Sequence, residues 1–359
     1  MIMRYTQVTD NRMLQTIQVL SSMISERMRL RTRWNGNVHH FLCMLFSYSI
    51  IMFFLTIIAR AQTTPPPIIG RWDMTVSIGN AKHPAWLEVE QSGYQALVGR
   101  FVGRIGGARP IGKIEWKDGV ARFSIPPEWE GPSSTDLIFE ARVQDNGSLI
   151  GTITMPTGRV AQFVGKRAPS LRREMPKAWG SPVPLFNGKD LSGWTPAPTA
   201  RNLPSHWIVR DGLLVNTADE GSNLMTVEKF QDFKLHAEFR LPDGGTSGIF
   251  PRGRYWIVLK QKPDSEPVND TMGAVYKFLL PNENAALGPG VWQTMDLTLV
   301  GRRLTVVVNG KSVIVDQIIP GITGSAIDSD EASSGPIMLQ GEELRCQVEF
   351  RKITIRVPR

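Results

Sequence analysis

Between Pro67 and Arg167 the chain alternates apolar and polar residues in short runs, and turn-forming residues separate the runs. A period of two is typical of β-strands that bury one face. Asp-Asn-Gly-Ser at 145–148 and Lys-Asp-Gly at 117–119 predict hairpin turns, because Asn-Gly and Asp-Gly accept the positive φ that these turns require. Strands of this kind over about a hundred residues predict a small antiparallel β-barrel or sandwich.

The same pattern of strands and turns resumes at Leu185 and continues to Val357. No helix of normal length is predicted after residue 62. Residues 168–183 have prolines near both ends and no periodicity, so we interpret them as a linker. The sequence therefore predicts an all-β chain: a small antiparallel β domain at 62–167, the linker at 168–183, and a two-sheet jelly-roll sandwich at 184–359.

Two predicted strands of the second domain place chemically active side chains on the face opposite their apolar residues. In Ser247–Lys260, one face carries Tyr255, Ile257 and Leu259, and the other carries Arg252, Arg254, Trp256, Val258 and Lys260. In 234–241, the apolar face carries Leu235, Ala237, Phe239 and Leu241, and the opposite face carries Lys234, His236, Glu238 and Arg240. The two polar faces predict either solvated cross-strand ion pairs or one shared ligand cleft, and we favour the cleft.

The formal net charge of +8 is concentrated at the N-terminus. Residues 1–61 contain seven arginines against Asp10 and Glu26, so most of the excess lies there. The rest of the chain is close to neutral, which argues against a nucleic-acid-binding function.

Residues 1–61 are predicted to be an N-terminal extension with an export signal. A basic segment precedes the apolar run Phe41–Ile58, and Ala-Arg-Ala before Gln62 is typical of a signal-peptidase site. Cleavage near Ala61 would release a periplasmic or extracellular protein. The apolar run at 41–58 is also long enough to be an uncleaved membrane anchor that holds the protein outside the cytoplasm. Met28 is an alternative start of translation.

Cysteine and histidine usage excludes two kinds of site after such a cleavage. Cys346 would be the only remaining cysteine, so no internal disulfide can form. His83, His206 and His236 have no metal-ligand spacing, and a histidine-based zinc site is therefore not predicted.

Nine stretches of the second domain, in order through residues 184–357, resemble the 3-keto-disaccharide (3-keto-glycoside) hydrolase domain family. They include PLFNGKDLSGW at 184–194, FQDFKLHAEFRL at 230–241, GGTSGIFPRGRY at 244–255 and GPIMLQ at 335–340. The resemblance implies a concanavalin A-like sandwich and a carbohydrate ligand. Outside it, Gly70-Arg71-Trp72 resembles the Gly-x-Trp of lipocalin-type barrels, with an ordinary buried Trp72 as the alternative.

The activity that the resemblance implies is cleavage of a glycosidic bond in a sugar already oxidised to a ketone at C3. The ketone acidifies the C2 proton, so the reaction needs a base near C2 and a cation at the enolate oxygen. The resulting hypothesis assigns Glu238 as the base with His236 second, Arg252 and Arg254 as electrophilic support, and Trp256, Arg240, Lys260 and Gln340 as substrate-binding residues. No cofactor is predicted.

Departures from the family pattern leave a second hypothesis open. The usual Tyr-Glu-Val-Gln-Ile is Tyr255-Trp256-Ile257-Val258-Leu259 here, so two polar positions are apolar. The alternative is a carbohydrate-binding module without catalysis, and a structural envelope protein is a third possibility. Sandwiches of this type often carry Ca²⁺ on loops, but Asp-Ser-Asp-Glu at 328–331 matches no EF-hand spacing, and we interpret it as a solvated acidic loop.

Overall fold

The computed structural model describes residues 65–128, 134–198, 203–217, 221–341 and 346–359. Residues 66–359 form one compact unit. The predicted signal or anchor within 1–61 lies outside the described residues. Among those that are described, no helix has the length and apolar character needed to span a bilayer.

The first part of the unit is a closed antiparallel barrel in which each strand pairs with the next and β1 also pairs with β8. Its strands are β1 Gly70–Ile78, β2 Ala81–Ser92, β3 Ala96–Val102, β4 Arg109–Lys117, β5 Val120–Ile125, β6 Leu137–Val143, β7 Leu149–Thr154 and β8 Val160–Arg167. The inward-facing residues fill the barrel with apolar side chains. Trp72 is fully buried, donates its indole N–H to the Ile68 carbonyl at 2.8 Å, and lies under the Arg167 guanidinium.

The second part is a sandwich of two sheets. Its strands are β9 Val183–Pro184, β10 Trp194–Pro196, β11 Trp207–Arg210, β12 Leu213–Asn216, β13 Leu224–Thr226, β14 Phe233–Arg240, β15 Thr246–Phe250, β16 Ile257–Lys260, β17 Gln293–Val300, β18 Arg303–Val308, β19 Lys311–Ile318, β20 Met338–Leu339 and β21 Val348–Arg356. The five-stranded sheet has the order β10-β13-β20-β15-β16. The eight-stranded sheet has the order β11-β12-β21-β14-β17-β18-β19, and β9 pairs with β21.

A continuous apolar core lies between the two sheets of the sandwich. Alternate residues point into it from both sides, for example Leu235, Ala237 and Phe239 of β14 and Ile257 and Leu259 of β16. Burying these side chains supplies the main driving force for folding. The predicted all-β architecture, a small antiparallel barrel followed by a jelly-roll sandwich, is confirmed.

The segment 319–328 of the sandwich joins the barrel through backbone hydrogen bonds and ring contacts. Ser325 N–H donates to the Arg104 carbonyl at 2.9 Å, and Trp86 of β2 donates its indole N–H to the Ile322 carbonyl at 2.8 Å. A Cβ on Gly324 would lie 2.7 Å from the backbone of Gly106, so glycine is required for this close approach. The two β domains are therefore packed as one body.

Candidate functional site

His236, Glu238 and Arg240 lie on the outer face of the eight-stranded sheet, as the alternation predicts. His236 Nδ1 is 2.8 Å from Asp296 and its Nε2 is 3.3 Å from Glu238. Glu238 also accepts a hydrogen bond from Arg351 at 2.6 Å, and Arg240 pairs with Glu349. These contacts make the face a network of cross-strand ion pairs.

The network also sets the charge of the predicted base. Partial burial opposes ionisation of Glu238, but hydrogen bonds from Arg351, His236 and Lys352 lower its pKa below the usual value. The hydrogen bond to Asp296 raises the pKa of His236. A carboxylate with a lowered pKa is a weak base, so this arrangement favours an ion-pair role.

Arg252 and Arg254 lie elsewhere, because the predicted strand over 247–260 is interrupted. β15 ends at Phe250, and a 3₁₀ turn at Pro251–Gly253 follows, in which Arg252 has a positive φ of 56°. Arg252 is fully buried and donates to Tyr255 Oη at 2.9 Å and to the Gly301 carbonyl at 2.5 Å. Arg254 is almost fully buried and makes a two-point pair with Asp328 at 2.7 and 3.1 Å.

Glu331 connects this buried network to the barrel. Its carboxylate accepts a hydrogen bond from Tyr255 Oη at 2.7 Å and pairs with Arg71 of β1. Arg71 in turn lies 3.4 Å from Asp73. Because Glu331 is fully buried, the prediction of a solvated acidic loop at 328–331 is wrong for this residue. Arg252 and Arg254 therefore bind buried groups of the sandwich, and Glu331 links these groups to Arg71 of the barrel.

The carboxylates of Asp328 and Glu331 in the loop 328–331 are engaged by arginines, which leaves them poorly suited to bind calcium. Both Asp328 oxygens accept hydrogen bonds from Arg254, and Glu331 pairs with Arg71. Within the described ranges, no group of three or more His, Cys, Asp or Glu side chains could hold a metal ion. These residues do not fit the calcium that sandwiches of this type often carry.

Trp256 and Gln340 come together on the outer face of the five-stranded sheet. A Cβ on Gly248 would overlap the Trp256 indole nitrogen and lie 3.1 Å from Gln340 Oε1. The Trp256 ring is stacked on Phe250 and Tyr276, with centroids 5.6 and 4.3 Å away. It is therefore engaged with protein aromatics and does not present an open platform.

The predicted single cleft is wrong, because these side chains do not share one surface of the molecule. Glu238, His236 and Arg240 lie outside one sheet, and Trp256 and Gln340 lie outside the other. Arg252 and Arg254 are buried beside the segment 328–333 of the sandwich. Lys260 pairs with Asp270 at 2.5 Å beside the edge strand β16.

A cleft of about 580 Å³ lies between the outer face of the five-stranded sheet and the barrel, and we refer to it as the cleft. Its volume is in the range of small-molecule sites. The sandwich lines it from β10, β13, β15, β20 and the segment 325–328, and the barrel lines it from the start of β2 and the loop after β3. Gln340 is the one predicted site residue in its lining.

The floor of the cleft is apolar. Met225, Phe250 and Met338 line it and pack together with Ala197 and Trp256. The position at which the family commonly has Glu is Trp256, which packs against this floor. A flat apolar surface suits the C–H face of a sugar ring.

The polar groups of the cleft come from both domains. The amides of Asn223 and Gln340 and the exposed Lys229 come from the sandwich. Lys82 and His83 of β2 come from the barrel, and Arg104 lies in the loop that follows β3. Asp328 is a lining carboxylate, and it is already paired with Arg254.

His83 lines the cleft at the barrel mouth. Partial burial, together with the positive charge of Arg104, lowers its pKa below the usual value. Its imidazole is therefore neutral at pH 7 and can accept a proton. No pattern in the sequence points to His83, since it lies near the start of the barrel strand β2 and reaches the cleft only when the domains pack together.

The chain is similar to known proteins over part of its length. The 3-keto-disaccharide hydrolase of Bacteroides thetaiotaomicron is 32% identical over 102 residues, which are 26% of this chain and 33% of that protein. The chain thus spans about a third of the length of this curated relative.

Solved structures align with about half of the chain. A candidate glycosyl hydrolase from Parabacteroides distasonis is 26% identical, with a TM-score of 0.43, over 51% of this chain and 92% of that one. The carbohydrate-binding module CBM66 from Bacillus subtilis is 13% identical, with a TM-score of 0.34, over 48% of this chain and 99% of that one.

A family model described as the 3-keto-alpha-glucoside-1,2-lyase-like domain matches residues 181–356. This range contains all the strands of the sandwich from β9 to β21. The sandwich of this chain is therefore a member of the 3-keto-alpha-glucoside-1,2-lyase-like domain family.

Proposed function

We propose that the cleft binds a glycoside whose sugar carries a ketone at C3 and cleaves its glycosidic bond by elimination. The observation that carries the proposal is the cleft itself. It lies on the face of the family domain to which Gln340 contributes, it has the size of a sugar site, and a neutral imidazole lines it.

The reaction begins with removal of the C2 proton by His83. The electron pair of the C–H bond moves into the ketone and forms an enolate, which the positive charge of Lys229 stabilises. The enolate then collapses and expels the C1 oxygen, so that a C1–C2 double bond forms and the leaving oxygen takes a proton. Water finally adds its hydroxyl to C1 and a proton to C2, which completes a net hydrolysis.

The His83 assignment follows from a comparison of the two lining groups that can accept a proton. Both oxygens of Asp328 already accept hydrogen bonds from Arg254, so this carboxylate is engaged by the protein. His83 is neutral at physiological pH, and a lowered pKa keeps it in the basic form under mildly acidic conditions.

A chromogenic 3-keto-glucoside tests the proposal. We expect turnover by the protein and a loss of about 100-fold or more in His83→Gln, the usual range for a lost general base. Glu238→Gln is the matched control and should retain activity, because Glu238 lies on the opposite sheet. The acidic limb of the pH profile should fall below the usual histidine range. Full activity of His83→Gln would exclude this base.

A carbohydrate-binding protein without catalysis is the second candidate. Trp256 and Val258 favour it, since both replace polar residues at positions of the family motif. Saturable binding of an unoxidised glycoside with no turnover of its 3-keto form would identify this function.

We also propose that the protein is exported through its N-terminal segment. The basic region and the apolar run before Ala61 support this proposal. N-terminal sequencing of the mature protein tests it: a chain starting near Gln62 supports cleavage, and a chain that retains Phe41 supports the anchor.

A further inference from the structure

A cavity of about 570 Å³ lies beside the cleft, between the barrel and the segment 327–330 of the sandwich, and we refer to it as the second cavity. Its volume, like that of the cleft, is in the range of small-molecule sites. The two cavities share five lining residues, which are Lys82, His83, Pro84, Ile327 and Asp328. They therefore lie side by side, with His83 at their common border.

The outer face of the barrel forms one wall of the second cavity. Asp73 and Thr75 are two residues apart on β1, and both side chains point away from the barrel core. Thr75 is paired with Pro84 of β2 and with Val164 of β8, and these two residues extend the wall. The wall thus offers a carboxyl group, a hydroxyl group and apolar surface, which together suit the mixed polar and apolar surface of a sugar.

Asp73 has a buried oxygen atom without a hydrogen-bond partner. The side chain is 2% exposed, and its Oδ1 lies 3.4 Å from Arg71. Its Oδ2 accepts no hydrogen bond from any residue that the structure describes. A buried polar atom without a partner costs free energy, because it has lost its contacts with water. A ligand hydroxyl in the second cavity would supply the missing hydrogen bond.

The second cavity contains both signs of charge. Asp330 lies 3.4 Å from Lys166, and both oxygens of Asp328 accept hydrogen bonds from Arg254. Lys82 adds a cation to this lining. Such a lining concentrates neither anions nor cations. A neutral sugar fits it, because each hydroxyl group can donate a hydrogen bond to a carboxylate and accept one from an ammonium group.

The position of His83 indicates which part of a glycoside would enter the second cavity. In the proposed reaction His83 removes the proton from C2, so C2 and the neighbouring C1 lie close to the imidazole. The aglycone is attached at C1, and His83 lies at the border of the two cavities. The aglycone of a sugar held in the cleft is therefore directed towards the second cavity.

We propose that the second cavity binds the aglycone, that this aglycone is itself a neutral sugar, and that Asp73 Oδ2 accepts a hydrogen bond from one of its hydroxyl groups. The inference rests on the proposed function, because it takes the cleft as the site of the oxidised sugar. It makes the barrel a part of the substrate site, and the preferred substrate is then a disaccharide.

Equilibrium binding of unoxidised sugars tests this independently of catalysis. Titration calorimetry at pH 8, where Asp73 with its pKa of about 6 is ionised, compares methyl α-glucoside with trehalose and maltose. Two or three additional hydrogen bonds predict that at least one of these disaccharides binds about tenfold more tightly. Asp73→Asn should weaken disaccharide binding about three- to tenfold, because the charged acceptor is lost. Unchanged affinity of this variant for methyl α-glucoside shows that it is folded.

A bulky substitution in the wall provides a second test. Val164→Trp places an indole in the second cavity and should reduce the affinity for the disaccharide to that for methyl α-glucoside. Val160→Trp is the matched control and should leave both affinities unchanged. Val160 lies on the same strand, is 56% exposed against 59% for Val164, and is not a lining residue of the second cavity.

The outcomes separate this inference from the proposed function. Disaccharides that bind no more tightly than methyl α-glucoside would overturn the inference and leave the cleft as a sugar site. A disaccharide preference that survives both Val164→Trp and Asp73→Asn would also overturn it. Absence of binding of all three sugars would overturn the cleft as a sugar site together with the inference. Absence of turnover with the disaccharide preference intact would overturn only the proposed reaction.

Discussion

Glu331 is the residue at which a substitution should most strongly weaken the joint between the barrel and the sandwich. Its carboxylate is fully buried and has two partners, the Tyr255 hydroxyl at 2.7 Å and the Arg71 guanidinium of the barrel. Glu331→Ala leaves the mostly buried Arg71 with Asp73, 3.4 Å away, as its remaining acidic partner. The variant therefore has an incompletely compensated buried cation.

The size of the effect follows from the burial of both partners. Removal of one member of a buried ion pair costs about 3–5 kcal/mol, because the other charge remains desolvated. Glu331→Gln keeps a hydrogen-bond acceptor for Tyr255, which is worth about 1 kcal/mol, and should lose less. The neighbouring Asp330 is a control, since its 3.4 Å pair with Lys166 is half exposed. Asp330→Ala should cost less than about 1 kcal/mol.

Urea denaturation followed by tryptophan fluorescence measures these differences. Trp86 is fully buried at the joint and reports its opening. Replacement of both charges in Arg71→Met with Glu331→Met should recover part of the loss, because these two charges are no longer left unpaired, while buried Asp73 loses its Arg71 partner. A free energy of unfolding for Glu331→Ala within about 1 kcal/mol of the wild type would show that this carboxylate does not stabilise the joint as a buried ion-pair partner.

Two further substitutions test the packing and the electrostatics. Gly248→Ala should destabilise the protein by about 1–3 kcal/mol, because its Cβ would overlap the Trp256 indole nitrogen. Thermal unfolding of this variant is compared with that of Gly112→Ala, whose Cβ would meet no neighbour. Burial raises the pKa of Asp73 to about 6. The folded state therefore binds this proton at a higher pH than the unfolded state does, so protonation stabilises the fold. As the pH falls from 7 to 4, the free energy of unfolding of the wild type should rise by up to about 3 kcal/mol relative to that of Asp73→Asn. A constant difference between wild type and Asp73→Asn over this range would contradict the raised pKa.

Alternation in the sequence predicted which side of a regular strand each residue occupies. In β14 the apolar set Leu235, Ala237 and Phe239 is buried and Glu238 faces outward, as expected. Alternation does not indicate which of two sheets a strand joins. The sequence analysis therefore predicted one shared surface for Glu238 and Trp256, although the two residues belong to opposite sheets.

The burial of Arg252 and Arg254 depends on partners that are distant in the chain. Arg254 pairs with Asp328, and Arg252 is connected to Glu331 through the Tyr255 hydroxyl. Both carboxylates lie more than 70 residues later in the chain. The turn in which Arg252 has a positive φ ends the strand, so the alternation of inward and outward side chains does not continue through residues 251–256. No local pattern contains this information. The sequence also could not predict that the barrel lines the cleft, because Lys82 approaches the sandwich only when the two domains pack together.

The fate of the C2 hydrogen during cleavage tests whether the cleft cleaves a 3-keto-glycoside by elimination. A 3-keto-glycoside is incubated with the protein in heavy water, and the released 3-keto sugar is analysed by proton NMR against a sample without protein, which corrects for spontaneous exchange. Removal of the C2 proton followed by addition of water predicts deuterium at C2, formed at the rate of turnover and lost in His83→Gln. A cleaved product that retains its original C2 hydrogen would contradict the account.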